Sequence, residues 1–218
     1  MDPTDVGAAD DDFLTRLRAA AVVPVVTLTD PALAPDLVGA LLEGGLPFIE
    51  ITLRSAAGLD AIRAARGLGA EIGAGTVTSV ANATAAIDAG ATFVVSPGLD
   101  EGTVRYCQHA GIPVIPGVAT PSEVMAARAL GVGAVKFFPA ADLGGPSYLK
   151  ALSAVWPDQL FMPTGGVSAA NALDYLNLPS VVAVGGSWIA QASLLSARDW
   201  DSITGLARIA AALRVSPT

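Results

Sequence analysis

A lysine inside an apolar strand is the residue of this sequence with the clearest chemical potential. Lys136 is one of only two lysines in the chain and lies in GAVKFFPA, between valine and phenylalanine residues. Lysine is almost never buried without a reason, and burial disfavours the charged form of an amine. A neutral amine is the nucleophile that forms a Schiff base with a ketone, so Lys136 predicts imine chemistry. The alternative is a side chain that reaches solvent at the strand end, and we expect Lys150, on an Ala/Leu-rich helix, to be solvated.

A carboxylate and a guanidinium share one face of an earlier strand. In FIEITLR (48–54) the period of two places Glu50, Thr52 and Arg54 on one face and the aliphatic residues on the other. The aliphatic face must meet helices, so Glu50 and Thr52 are expected to point into the interior of the sheet. A carboxylate with an arginine at the strand exit favours a functional site over a structural ion pair.

Two glycine-rich segments follow the last two expected strands, PTGG at 163–166 and GGS at 185–187. In barrels of parallel strands these two loops commonly cradle a phosphate with backbone N–H groups and a helix N-terminus. Simple tight turns are the alternative reading. Their position, together with the hydroxyl of Ser187, favours phosphate.

The composition excludes several classes of function. The 218 residues are 52% hydrophobic and 15% charged with a net charge of −8, so the basic footprint of a nucleic-acid binder is absent. One histidine and one cysteine cannot build a His-rich metal site or an intrachain disulfide, and neither a metal nor a cofactor is expected. His109 is interpreted as the last turn of a helix and Cys107 as a small buried apolar residue.

No stretch reaches the roughly 20 apolar residues of a membrane-spanning helix. The acidic opening MDPTDVGAADDD also lacks the basic region of a secretory signal. A cytoplasmic protein without membrane contact is therefore expected.

Strand and helix patterns alternate regularly along the chain. After a helix over 10–20, the pattern predicts eight strands at 22–28, 48–53, 70–75, 92–96, 112–117, 134–138, 160–165 and 181–186. Each is followed by a helix, which predicts an α/β fold, a (β/α)₈ TIM barrel with an extra N-terminal helix. A doubly wound open sheet is the alternative, but no dinucleotide or Walker-type loop supports it. We expect one domain over 1–218, with a flexible acidic segment at 1–9.

Seven motifs, in order, carry a resemblance to a known family. They are EITLRS (50–55), GAGTV (73–77), SPG (96–98), IPGVATPSE (115–123), VKFFPA (135–140), PTGG (163–166) and GGSW (185–188). Together they resemble the class I 2-keto-3-deoxy-6-phosphogluconate (KDPG) aldolases, over roughly residues 22–190. The resemblance implies a homotrimeric barrel that converts this phosphorylated keto acid to pyruvate and glyceraldehyde 3-phosphate in the Entner–Doudoroff route.

The resemblance also implies a role for particular residues. Lys136 would form the Schiff base and Glu50 would accept the proton. Arg54 and Thr76 would hold the pyruvyl carboxylate.

The same resemblance implies a phosphate site and a pocket wall. Backbone groups of Gly165 and Gly166, with Ser187, would hold the phosphate. The pocket would be lined by Thr164, which would bias stereochemistry, and by Pro97 and Phe138.

The sequence leaves the substrate open. Relatives of this kind also cleave 2-keto-4-hydroxyglutarate (KHG) or the galactonate epimer of KDPG, with similar residues. A catalytically silent phosphosugar-binding barrel is the alternative from another class, and the intact Lys136 and Glu50 argue against it.

Overall fold

Buried strands and helices alternate along the chain. The computed structural model describes the backbone of residues 3–213 and the side chains of residues 11–213. The strands are β1 (Val22–Val26), β2 (Phe48–Thr52), β3 (Glu71–Gly75), β4 (Phe93–Val95), β5 (Val114–Ile115), β6 (Gly117–Val118), β7 (Ala134–Phe137), β8 (Leu160–Pro163) and β9 (Val184–Gly186). The helices are α1 (Pro3–Ala20), α2 (Ala34–Glu43), α3 (Gly58–Ala65), α4 (Val80–Ala89), α5 (Glu101–His109), α6 (Pro121–Ala129), α7 (Gly145–Ser153), α8 (Ala172–Leu176), α9 (Ala192–Ala197) and α10 (Trp200–Ala211), with a 3₁₀ turn at Pro31–Leu33.

The strands form a curled parallel sheet covered by helices, so the chain has an α/β fold. Six strands follow the order β5-β4-β3-β2-β1-β9, and three more follow the order β6-β7-β8. Single parallel bridges, Phe161 to Val181 and Thr164 to Gly185, connect the region of β8 to that of β9. The carboxyl ends of neighbouring strands therefore lie side by side at one edge, as parallel pairing requires.

The expected continuous strand over 112–117 is wrong, because the chain is interrupted at Pro116. Proline has no N–H to donate to a ladder, and the segment divides into β5, which pairs with β4, and β6, which pairs with β7. The Pro116 carbonyl still accepts a hydrogen bond of 2.8 Å from the backbone N–H of Lys136. The described residues thus contain nine named strands where the pattern predicted eight.

Side chains along each strand alternate between two apolar layers. Phe48 of β2 packs in the cluster enclosed by the strands, whereas Ile49 and Ile51 pack against the helices. Strand β7 repeats the alternation, with Ala134 inside and Val135 outside. The period of two predicted for the strand that carries Glu50 is confirmed, and β7 shows the same alternation.

Helix α1 packs at the amino ends of the strands. Phe13 is 3% exposed, and its ring lies 5.8 Å from the Phe48 ring and 5.6 Å from the Phe93 ring, centroid to centroid. Leu17 of the same helix is fully buried in this cluster. The flexible segment expected over residues 1–9 lies outside the described side chains and stays a prediction.

Several helices begin where the sequence supplies a capping side chain. Ser79, Asp100 and Thr120 each accept a hydrogen bond from a backbone N–H in the first turn of α4, α5 and α6. Gly90 ends α4 at φ +107°, a left-handed conformation that glycine adopts without strain. Helix α9 was not predicted. Within residues 3–213 no helix combines the length and hydrophobicity needed to span a bilayer.

Candidate active site

A buried lysine and a buried glutamate meet inside the curled sheet. Lys136, on β7, is 5% exposed, and Glu50, on β2, is fully buried. The Lys136 Nζ donates a hydrogen bond of 3.3 Å to Glu50 Oε1. The second carboxylate oxygen, Oε2, has no hydrogen-bond partner within the described part of the chain. A buried acceptor without a partner is rare and points to a site that receives a proton or a ligand.

Glycines on the neighbouring strand leave room for this pair. A Cβ at Gly75 of β3 would overlap the carboxylate of Glu50, and a Cβ at Gly73 would overlap the ring of Phe93. Only residues without a side chain fit at these inward positions. The sequence showed both glycines, but the reason for them depends on which side chains the adjacent strands bring opposite.

A cavity at the carboxyl ends of β1, β2 and β9 brings together two of the residues expected to bind anions. Its volume is about 330 Å³, and both Arg54 and Ser187 are exposed and line it. The remaining lining residues are Val25, Thr27, Ala190, Gln191, Ala192 and Leu195. Arg54 follows β2 and Ser187 follows β9, so separate strands supply the two polar groups.

The two glycine-rich segments lie beside each other. The parallel bridge between Thr164 and Gly185 joins PTGG to GGS, and Thr164 is buried. Gly165 and Gly166 take φ values of +95° and +70°, which L-residues with a side chain rarely adopt. A Cβ at Gly166 would also overlap Ala141. The backbone here is therefore fixed in a shape that requires glycine.

Thr76 directly follows Gly75 in a strained conformation. Its φ is +61°, a genuine outlier for a β-branched residue. Such strain persists only where the surroundings enforce it, and it concentrates at functional sites. Of the two other residues expected in the pocket, Pro97 is half-buried with its backbone where a Cβ of Gly117 would lie, and the Phe138 ring centroid lies 5.3 Å from Lys136 Nζ.

Three other nucleophilic or basic side chains, those of Cys107, His109 and Lys150, make no recorded contact with the Lys136–Glu50 pair and do not line the cavity. Burial raises the pKa of the Cys107 thiol to about 11, so the thiol is protonated at neutral pH and is no nucleophile. His109 is exposed in the last turn of α5, with Nδ1 2.6 Å from the Arg105 carbonyl oxygen. Lys150 is exposed, as expected. Among the residues that the structure describes, no group of three or more His, Cys, Asp or Glu side chains could hold a metal ion.

Sequence reasoning missed two polar residues of the cavity, Thr27 and Gln191. Thr27 directly follows β1, and its Oγ1 lies 2.7 Å from Oγ1 of Thr52. The signal was available, because Thr27 is a polar residue at the carboxyl end of the apolar run VVPVV.

Comparison with known proteins gives consistent results across nearly the whole chain. A family model described as KDPG and KHG aldolase matches residues 14–206. A 2-dehydro-3-deoxy-phosphogluconate aldolase of Pseudomonas aeruginosa is 43% identical over 199 residues, which cover 89% of each chain.

Solved structures show the same similarity in three dimensions. The KDPG aldolase of Zymomonas mobilis ZM4 with 3-phosphoglycerate has a TM-score of 0.88 at 38% identity, covering 94% of this chain and 98% of that one. The KDPG aldolase of Legionella pneumophila, with pyruvate captured as a covalent carbinolamine intermediate, has a TM-score of 0.85 at 39% identity, covering 88% and 95%.

Fold, site and relatives together define an aldolase, a lyase that acts on a carbon–carbon bond. The chain belongs to the KDPG and KHG aldolase family. The resemblance carried by the seven motifs is thereby confirmed.

Proposed function

We propose that this protein cleaves KDPG to pyruvate and glyceraldehyde 3-phosphate through a Schiff base on Lys136. The observation that carries the proposal is the buried contact of 3.3 Å between Lys136 Nζ and Glu50 Oε1. An enclosed amine beside a carboxylate is the combination that this chemistry needs, because the amine can form the imine and the carboxylate can take up and return a proton. The carbinolamine of pyruvate named for the Legionella relative is the adduct such a lysine would form.

The steps follow from these two groups. Lys136 Nζ adds to the C2 ketone, and the carbinolamine loses water to give a protonated imine. Glu50 takes the proton of the C4 hydroxyl, directly or through one water, as the C3–C4 bond breaks and its electron pair moves into the imine. Glyceraldehyde 3-phosphate leaves, the resulting enamine is protonated at C3, and water releases pyruvate and restores the amine. The imine is the electron sink, so this route needs no metal or cofactor.

Two anion subsites would hold the ends of the substrate. Arg54 and Thr76 would bind the carboxylate next to the ketone, since Arg54 follows β2, the strand of Glu50, and Thr76 follows the neighbouring strand β3. Gly165, Gly166 and Ser187 would bind the phosphate, a role supported by the adjacent positions of their two segments. Thr164, Pro97 and Phe138 would complete the pocket wall.

The architecture that we propose for this site is one closed (β/α)₈ barrel. Strands β5 and β6 would share one barrel position across Pro116, and the two bridges between the regions of β8 and β9 support closure. The extra N-terminal helix of this proposal would be α1, packed on the amino ends of the strands. We also propose that three chains assemble as a homotrimer, as the family resemblance implies.

Borohydride trapping tests the mechanism directly. Borohydride added with pyruvate should inactivate the enzyme and leave a reduced adduct on Lys136, identified by peptide mass spectrometry, and EDTA should leave activity unchanged. Lys136→Ala should abolish turnover and trapping, whereas Glu50→Gln should slow cleavage while still allowing the adduct to form. Lys150→Ala is the matched control, because it removes the only other lysine, which is exposed. An adduct that survives in Lys136→Ala would overturn the proposal.

One assay separates the candidate substrates and the silent alternative. Pyruvate release, coupled to lactate dehydrogenase, is measured on KDPG, on its galactonate epimer and on KHG. We expect the highest kcat/KM with KDPG. Release from KHG alone would favour the hydroxyglutarate activity that the family description also names, and no release from any of the three would favour a silent phosphosugar-binding barrel.

A further inference from the structure

Two threonine hydroxyls at the ends of adjacent strands form a pair that the mechanism does not use. Thr27, after β1, is exposed and lines the 330 Å³ cavity, whereas Thr52, the last residue of β2, is fully buried. Their Oγ1 atoms lie 2.7 Å apart, within hydrogen-bond distance. The contact therefore holds the Thr27 oxygen in place, whichever of the two hydroxyls donates.

The pairing leaves Thr27 able to bind a second partner. A hydroxyl carries one proton and two acceptor positions. If Thr52 donates to Thr27, the Thr27 proton is free for the cavity, and if Thr27 donates, its oxygen can still accept. A substrate hydroxyl suits either state because it can both donate and accept.

The place of Thr27 in the cavity indicates which part of the substrate it faces. Arg54 and Ser187 line the same cavity and, in the function proposed above, bind the carboxylate and the phosphate at opposite ends of the substrate. Thr27 comes directly after the parallel pairs of Val25 with Glu50 and Val26 with Ile51, on the face of the sheet that carries Glu50. In the proposed function it therefore lies beside the carbons that react near Glu50. Glu50 takes the proton of the C4 hydroxyl, so the C5 hydroxyl remains without an assigned partner.

We propose that Thr27 is a specificity-determining residue that hydrogen-bonds the C5 hydroxyl of the phosphorylated substrate, with Thr52 as its positioning residue. The inference rests on the proposed function and deepens it. KHG has a carboxylate at C5, which can accept a hydrogen bond but cannot donate one. A bond that the C5 hydroxyl donates to Thr27 Oγ1 therefore separates the two substrates. A site built to bind a substrate hydroxyl discriminates against an analogue that lacks it.

The experiment compares Thr27→Val, a near-isosteric change without the hydroxyl, with the wild type on KDPG and KHG. The ratio of kcat/KM for KDPG to that for KHG should fall about fivefold to tenfold, the effect of one neutral hydrogen bond. Loss of a bond that forms equally in ground and transition states raises KM and leaves kcat nearly unchanged, so we expect the change mainly in KM. Thr52→Val should lower the same ratio, and Thr52→Ser, which keeps the hydroxyl, should restore it.

Thr29→Val is the matched control, because Thr29 is exposed on the same loop but does not line the cavity. An unchanged ratio in Thr27→Val, or an equal loss on both substrates, would overturn the inference. Borohydride trapping with pyruvate distinguishes failure of the proposed function from failure of the role proposed for Thr27. A wild type that neither traps pyruvate nor cleaves either substrate contradicts the proposed function, whereas an active wild type with an unchanged ratio in Thr27→Val contradicts only the role of Thr27.

Discussion

At the scale of single residues, the contact between Lys136 and Glu50 is unusual because both ionisable side chains are buried. Burying two charges usually stabilises a protein no better than a well-packed apolar pair of the same volume. Here the carboxylate also has one oxygen without a partner in the described residues. The pair therefore adds little to stability but is suited to proton transfer. We explain its presence by a role in the reaction.

The phosphate subsite gives a prediction for one hydroxyl. Ser187→Ala removes one hydrogen bond to a charged group, worth about 1.5 to 3 kcal/mol, so kcat/KM for KDPG should fall about tenfold to a hundredfold. The measurement is steady-state pyruvate release on KDPG and KHG. Ser196→Ala, at an exposed serine of α9 outside the cavity lining, is the control. Equal losses on both substrates would contradict a phosphate role.

At the scale of elements, the two ends of the strands are built differently. The amino ends are sealed by apolar packing of α1 against the aromatic rings of Phe48 and Phe93, whereas the carboxyl ends carry glycines, hydroxyls and an arginine. The division would let one end stabilise the fold while loops at the other end bind the substrate, as in the barrel proposed above.

Phe13 tests the stabilising role of α1. Phe13→Ala would leave a cavity beside the rings of Phe48 and Phe93, and such changes typically lower the free energy of unfolding by about 3 to 5 kcal/mol. Urea denaturation at fixed protein concentration measures the loss. Leu68→Ala, at a leucine that is 42% exposed, should cost less than about 0.5 kcal/mol. If both variants lose the same stability, α1 does not seal the strands. Trapping of pyruvate should persist in folded Phe13→Ala, because Lys136 lies toward the other end.

At the scale of the whole molecule, the proposed homotrimer predicts a particular mass. Light scattering coupled to size exclusion should give three times the chain mass of 21.8 kDa. An oligomer is stabilised by mass action, so the unfolding temperature should rise with protein concentration. A mass of one chain at every concentration tested would contradict the trimer.

The sequence alone determined the class of fold and the side of the sheet on which Glu50 lies. Alternating strand and helix patterns predicted α/β, and the period of two placed Glu50 on the inward face, because side-chain direction in a strand is a local property. The apolar context of Lys136 was equally local. The capping of α5 by Asp100 is local for the same reason, since the side chain bonds within the first turn of that helix.

Only the tertiary structure decided which side chains contact one another in the site. Glu50 and Lys136 are 86 positions apart in the chain, and their contact exists because parallel strands bring distant segments to one interior. The same holds for Gly75, which must lack a side chain only because Glu50 lies opposite it, and for Thr27, whose partner is on another strand. A periodic pattern specifies the side of a strand on which a residue lies. The distance between side chains on two strands depends on how the sheet curls and on which strands pair.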